Sequence, residues 1–293
     1  MEINFIKHRK IFFFISGVMV LGSIVALLLF GLRWGIDFVG GSIIEIEYDN
    51  NRPAVQEIKS TLENIGLEDF SVQEMGQKGI LLRTKEISED THQKILNVLK
   101  KSAPLKETRF EFIGPVVGKE IRDKTKIVIL LAITSILLYV TFAFRKVSYP
   151  VSSWQYGLAT IIALFHDVLI PVGIFAVLGK FYAVEISVPI ITALLTVFGY
   201  SVNDTVVVFD RIRENLLKRN LPFDEIVNKS LNETLSRSIS TSLTTLFVLF
   251  AIFFFGGYTL RYFSLALILG ISLGTYSSIC LASPILVSWT KRS

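Results

Sequence analysis

The stretch FGYSVNDTVVVFDRIREN, residues 198–215, decides how the rest of the chain is read. It begins inside an apolar segment long enough to cross a bilayer and ends in a burst of charge. Between the two, Asn203 and Asp204 fall where lipid would be the surroundings. A carboxylate at membrane depth costs about 3 kcal/mol on insertion scales, so it is rare unless it faces protein and has a task.

Outward from this stretch, the composition sets the class. Hydrophobic residues make up 51% of the 293, with 23 phenylalanines, and they cluster in long runs. A soluble domain of this size is not so apolar, so the chain is an integral membrane protein. The net charge of +5 sits in short clusters at the ends of apolar runs, as membrane topology demands. No basic–aromatic ribbon or nucleic-acid motif is present, which sets nucleic acid aside as a partner. Cys280 is the sole cysteine and lies in an apolar run, so no disulfide forms within the chain and the thiol reads as packing.

Six segments have spanning length, at residues 11–32, 126–144, 155–178, 186–209, 238–256 and 263–289. Lys7, Arg9, Lys10, Arg145, Lys146, Arg211, Arg213, Lys218, Arg219, Lys229, Arg237, Lys291 and Arg292 fall on one side; the opposite short loops carry only Lys180 and Arg261. Both termini are therefore expected in the cytoplasm and residues 33–125 outside. The first run is too long for a signal peptide and lacks a small-residue cleavage site, so it is expected to stay as an anchor.

The external segment reads as a small folded domain. Ser-Ile-Ile-Glu-Ile-Glu-Tyr at 42–48 alternates like a strand with one buried face. Pro53 opens a helical pattern with Val55, Ile58, Leu62 and Ile65, and Gly66 ends it. Two short strands over 69–75 and 79–85 follow, then a helix capped by Ser88, then a strand over 107–113. This β-α-β-β-α-β order predicts a ferredoxin-like α+β domain beside six transmembrane helices. About 70 residues bury only a thin core, so modest stability is expected.

Asp204 lies about 27 Å along its span at 1.5 Å per residue, in the cytoplasmic third. It is either an interfacial acid reaching headgroup water or a buried functional carboxylate; Val206, Val207, Val208 and Phe209 keep another turn apolar and favour burial. Arg237 opens the fifth span at a comparable depth, as a partner for Asp204 or as a positive-inside anchor. Thr241 and Thr244 or Thr245 continue from it as a polar stripe, expected to be satisfied against neighbouring helices and able to hold water. An acid that alternates between an arginine and a proton is a relay element. His166 and Asp167, mid-span and followed by Pro171, form a second polar site with Asn203, as an ion path or as a clamp between helices. Gly35-Ile-Asp-Phe-Val-Gly-Gly41 follows the first span, where Gly35, Gly40 and Gly41 permit sharp turns and Asp37 can cap one. This motif reads as a hinge between membrane and external domain; no Lys-Ser/Thr follows it, as a phosphate loop would need. Gly270-xxx-Gly274 permits close helix packing. Residues 211–237 are expected to form short amphipathic helices on the cytoplasmic face. His8, His92 and His166 are dispersed, and no zinc spacing, nucleophile elbow or P-loop occurs, so no metal site and no ATP hydrolysis is expected.

The glycine motif at 35–41, Phe-His-Asp-Val at 165–168 and the 198–215 stretch together resemble the SecF branch of the SecD/SecF family, over essentially the whole chain. The resemblance implies a half-transporter of the RND superfamily in the bacterial inner membrane. It would pair with SecD to give twelve spans around a pseudo-twofold axis and assist preprotein export by proton motive force. It maps the family's membrane aspartate onto Asp204, its arginine onto Arg237 and a supporting threonine onto Thr241. The implied partners are SecD, the SecYEG translocon, YajC, YidC, unfolded preprotein and membrane lipid, with no cofactor beyond a coupling ion, H+ or Na+. The competing readings are a purely structural membrane subunit and a small-molecule exporter; the latter needs larger external domains than about 70 residues provide.

Overall fold

A computed structural model describes residues 3–145 and 150–290. Lys146, Lys291 and Arg292, used above to orient the spans, lie outside the described residues. The chain forms two compact units. One is built of membrane helices; the other comprises Arg33–Lys126 together with Glu185–Ser187.

In the membrane unit α1 is Arg9–Phe30, and the remaining long helices follow the sheet-bearing segment. The segment between α1 and the later long helices begins with a one-turn helix α2 (Ile36–Val39), then β1 (Gly41–Tyr48), α3 (Val55–Asn64), β2 (Ser71–Met75), β3 (Gly79–Thr84), α4 (Glu89–Ser102) and β4 (Leu105–Ile113). The antiparallel sheet has the order β2-β3-β1-β4. Alternation along β1 turns Ile44, Ile46 and Tyr48 to the core, where Ile58, Leu62, Ile80, Leu82, Ile95 and Leu99 meet them. Ser88 caps α4, its hydroxyl accepting from the Thr91 N–H at 3.3 Å. The fold is thus ferredoxin-like α+β, as the strand and helix order predicted.

Six further helices and a π turn follow: α5 (Pro115–Ala143), α6 (Ser153–Tyr182), α7 (Val188–Lys218), α8 (Phe223–Phe255), α9 (Gly257–Ser277), the π turn Ser278–Ala282 and α10 (Ser283–Thr290). Among the described residues six helices are long and apolar enough to cross a membrane, the last formed by α9, the π turn and α10. α6, α7 and α9 pack on one another, α1 packs on α6, and α8 packs on α7 and α9. Small residues set these approaches. A Cβ at Gly173 would overlap Ser23 of α1, and one at Gly270 would overlap Val197 of α7. At Gly274 it would stand 3.0 Å from Ser201 Cβ, so the Gly270–Gly274 pair faces α7.

Residues 211–237 do not form separate helices. α7 runs unbroken to Lys218 and α8 begins at Phe223, so the charged segment is two helix ends joined by a short turn. The ion pair between Arg211 of α7 and Glu233 of α8 (2.6 Å) holds these ends together, with Asn215 Nδ2 donating to Ser230 Oγ (2.9 Å), while Arg211 also pairs with Glu214 within α7 (2.5 Å). Helical continuation costs less than a break here because charges three and four apart support the helix outside the bilayer.

Candidate functional site

α7 is held in place by the close approach of α9 at Gly270 and Gly274 and carries Asp204 into the packed interior, where it is 4% exposed. Its carboxylate faces the hydroxyls of Thr275 on α9 and Ser238 on α8. Neither contact gives Oδ2 a hydrogen bond of ordinary geometry, and the Ser238 Oγ is likewise without one. Thr275 Oγ1 already donates to the Ile271 carbonyl at 3.0 Å and meets Ser242 Oγ at 2.5 Å. A threonine hydroxyl has one proton, so Thr275 cannot serve the carbonyl and the carboxylate together. Asp204 is therefore a buried acid with an incomplete shell, and its charge is costly there.

Arg237 is not part of that shell. It is exposed, and among the described residues no ion pair joins it to Asp204. Successive residues on a helix point about 100° apart. The α8 face turned to α7 and α9 carries Ser238 and Ser242, four residues apart and both buried, which leaves Arg237 and Thr241 facing outward. The threonine stripe also differs from expectation. Thr241 Oγ1 donates to the Arg237 and Ser238 carbonyls (both 3.0 Å), Thr244 Oγ1 to the Thr241 carbonyl (2.9 Å) and Thr245 Oγ1 to the same carbonyl (3.2 Å). These hydroxyls are satisfied by their own helix, as threonine commonly is in apolar surroundings. Tyr200 reaches across from α7, its OH donating to the Thr241 carbonyl at 3.0 Å and meeting Thr245 Oγ1 at 3.2 Å. Asn203 is exposed.

A separate polar knot lies on α6. Asp167 is fully buried and accepts from Ser201 of α7 and Ser277 of α9, both at 2.6 Å on Oδ2, while His166 Nδ1 meets Oδ1 at 2.9 Å. The two neighbours on α6 thus act together, although their side chains leave the helix in different directions. His166 stacks on Tyr276 at 5.9 Å, and the Tyr276 OH donates to the Phe12 carbonyl of α1 at 3.2 Å. His166 Nε2 is buried without a partner. The knot joins α6, α7 and α9, with α1 reached through Tyr276.

The glycine motif belongs to the unit that carries the sheet. Gly40 and Gly41 have φ of 81° and 138°, the region that favours glycine. A Cβ at Gly40 would lie 2.8 Å from Pro115 Cα and one at Gly41 2.7 Å from the Thr84 carbonyl oxygen. Gly35 donates its N–H to the Ile186 carbonyl at 2.9 Å, and Asp37 sits in the first turn of α2.

Residues 94–292 match the family of protein export membrane proteins SecD/SecF, C-terminal, and residues 25–51 match the SecD/SecF GG motif. The protein translocase subunit SecF of Thermobaculum terrenum is 45% identical over 305 residues, covering 99% of this chain and 95% of that protein. The SecF subunit of Anaerolinea thermophila is 37% identical, over 98% of this chain and 94% of that one. The chain belongs to the SecD/SecF family. Among solved structures, the crystal structure of SecDF, a translocon-associated membrane protein, from Thermus thermophilus superposes with a TM-score of 0.88 at 35% identity. That match covers all of this chain, which spans 39% of the SecDF chain. This family member is a multi-pass membrane protein of the SecF type, and its relatives are protein translocase subunits.

In this SecD/SecF family chain the sequence pointed to Asp204 and Asp167 but not to Ser201, Ser238, Thr275 and Ser277, which surround the acids. Serine and threonine in a span carry no signal alone. Spacing was available, since Ser201 stands three residues before Asp204 and Ser238 four before Ser242.

Proposed function

We propose that this chain is the SecF partner of SecD in a twelve-span complex that uses proton motive force to assist preprotein movement across the bacterial inner membrane. In this reading Asp204 binds the coupling ion, and Arg237 and Thr241 support it in a second state of the cycle. Arg237 faces outward in the present arrangement; its pairing with Asp204 is the alternative state the cycle requires. Preprotein emerging from SecYEG is the substrate, with YajC and YidC as further partners and both termini cytoplasmic. No ATP is used: a proton crossing 100 mV releases about 2.3 kcal/mol, which biases a two-state element more than tenfold.

The observation that carries this reading is the incomplete shell of Asp204. A carboxylate that is buried, yet has an oxygen and a neighbouring serine hydroxyl without ordinary hydrogen bonds, has room in its bonding for a transient proton or cation. The test is ion-current recording on the complex with SecD under separate proton and sodium gradients, wild type against Asp204→Asn. A current that Asp204→Asn abolishes supports the reading and identifies the ion; an unchanged current under both gradients overturns it.

A structural role is favoured for the second site. Asp167 has acceptor bonds from three groups on three helices, which is the pattern of a clamp. A purely structural subunit would instead lose complex assembly and export in equal proportion when Asp204 is changed.

A further inference from the structure

The connection between α6 and α7 is not a passive loop. α6 ends at Tyr182, its cap Ala183 is a non-glycine residue in the left-handed region at φ 54°, and Val184 follows. The next three residues, Glu185–Ser187, belong to the external unit, and α7 starts immediately after them. Ile186 forms a parallel bridge with Trp34: its N–H donates to the Arg33 carbonyl at 2.7 Å and its carbonyl accepts from the Gly35 N–H at 2.9 Å. A Cβ on Gly35 would stand 3.1 Å from that same carbonyl oxygen, so the first glycine of the motif makes room for this strand.

Glu185 fixes the strand from its side chain. It is 11% exposed and pairs with two arginines, Arg33 Nε at 3.3 Å and Arg83 Nε at 3.0 Å. Arg83 lies on β3 and is held in turn by Gln73 of β2, whose Oε1 accepts from Nη1 at 2.9 Å. The Arg83–Glu185 contact is an ion pair without hydrogen-bond alignment at Nε. Burial raises the Glu185 carboxyl, the Arg83 and Arg33 charges draw it back down, and Asp37 of the glycine motif adds to the rise. Removing one partner from a buried pair of this kind leaves an uncompensated charge.

We propose that Glu185 is a positioning residue that ties the first residue of α7 to β3, so that displacement of the Asp204 helix acts on the external sheet through three residues. The inference rests on the ion-binding reading of Asp204 above. It uses chain continuity at one end and a two-arginine clamp at the other, and no longer path is needed.

The test is hydrogen exchange of the external sheet in the complex with SecD, comparing wild type with Asp204→Asn, each with and without Glu185→Gln. The expected result is that Asp204→Asn changes exchange along β3 in the otherwise native chain and that Glu185→Gln removes this difference. Glu185→Asp, which keeps a carboxylate facing both Arg33 and Arg83, should retain it, which separates coupling from misfolding. A difference that survives Glu185→Gln, or no difference between wild type and Asp204→Asn, overturns the proposal. Failure of the ion-binding reading is seen separately, as an ion current indifferent to Asp204→Asn.

Discussion

Ser201 Oγ donates to Asp167 Oδ2 at 2.6 Å, and three residues further along the same helix Asp204 enters a pocket of hydroxyls that does not complete its bonding. Residues three apart share a helix face. α7 therefore connects a satisfied acid with an unsatisfied one, and substitutions at the two should behave in opposite ways.

Asp167→Ala should be strongly destabilising. It strands the Ser201 and Ser277 hydroxyls and His166 Nδ1 in the interior, and an unpartnered buried polar group costs about 1–3 kcal/mol. We expect a clear fall in the unfolding midpoint of the detergent-purified chain, with Ser201→Ala and Ser277→Ala each costing less. Scanning fluorimetry decides; an Asp167→Ala chain as stable as wild type would refute the clamp.

Asp204→Asn should leave stability unchanged or raise it by about 1 kcal/mol, because it removes a charge whose desolvation is not fully compensated. The same variant is expected to abolish gradient-dependent export. Measuring both on one preparation separates a functional acid from a structural one: a loss of stability matching that of Asp167→Ala would show that Asp204 holds the helices together.

Gly270→Ala should cost about 1–3 kcal/mol through overpacking against Val197, and Val197→Ala in the same chain should recover much of it. Gly199→Ala serves as a control, since a Cβ there meets nothing within 4 Å in this chain and alanine is the better helix former. Thermal unfolding of the four chains provides the check.

Tyr48→Phe should stabilise the protein at alkaline pH. The Tyr48 hydroxyl is buried without a partner, and burial, with Glu57 nearby, pushes its pKa up to about 12. An unfolded tyrosine ionises near pH 10. Between roughly pH 10 and 12 the unfolded chain therefore sheds a proton that the folded chain keeps, and stability falls as pH rises through that window. Phenylalanine removes this slope together with the unpartnered hydroxyl, so the wild type and variant curves should diverge above pH 10. Parallel denaturant titrations at pH 8 and 11 would reveal it.

The order of strands and helices was legible because each obeys a local rule: alternation at Ile44, Ile46 and Tyr48, a cap at Ser88, a stop at Gly66. The spans were legible in number, from apolar length. Their ends were not, because α7 and α8 continue beyond the apolar run on ion pairs such as Arg211–Glu233, which hydropathy does not register. Asp204 announced itself by its cost in lipid. Its surroundings were hidden because a one-residue step on α8 exchanges Arg237 for Ser238, and the periodicity of a lone polar stripe does not fix which face turns inward. Glu185 was overlooked as one acid in a short connection. Its signal was an acid in a short connection with few charges, paired with two arginines that lie far away in sequence.

The π turn Ser278–Ala282 changes how the last span must be counted. A π turn widens the helix by one residue, so the faces before and after it are out of phase with a regular 3.6-residue repeat. Closing the turn into a regular α form with all of its residues kept would rotate α10 by about 100° relative to α9. Leu286 and Val287, now in the core, would swing away from it while Ser277 kept its bond to Asp167. The insertion is thus a phase shifter that lets one helix satisfy a polar knot at one level and an apolar core at the next.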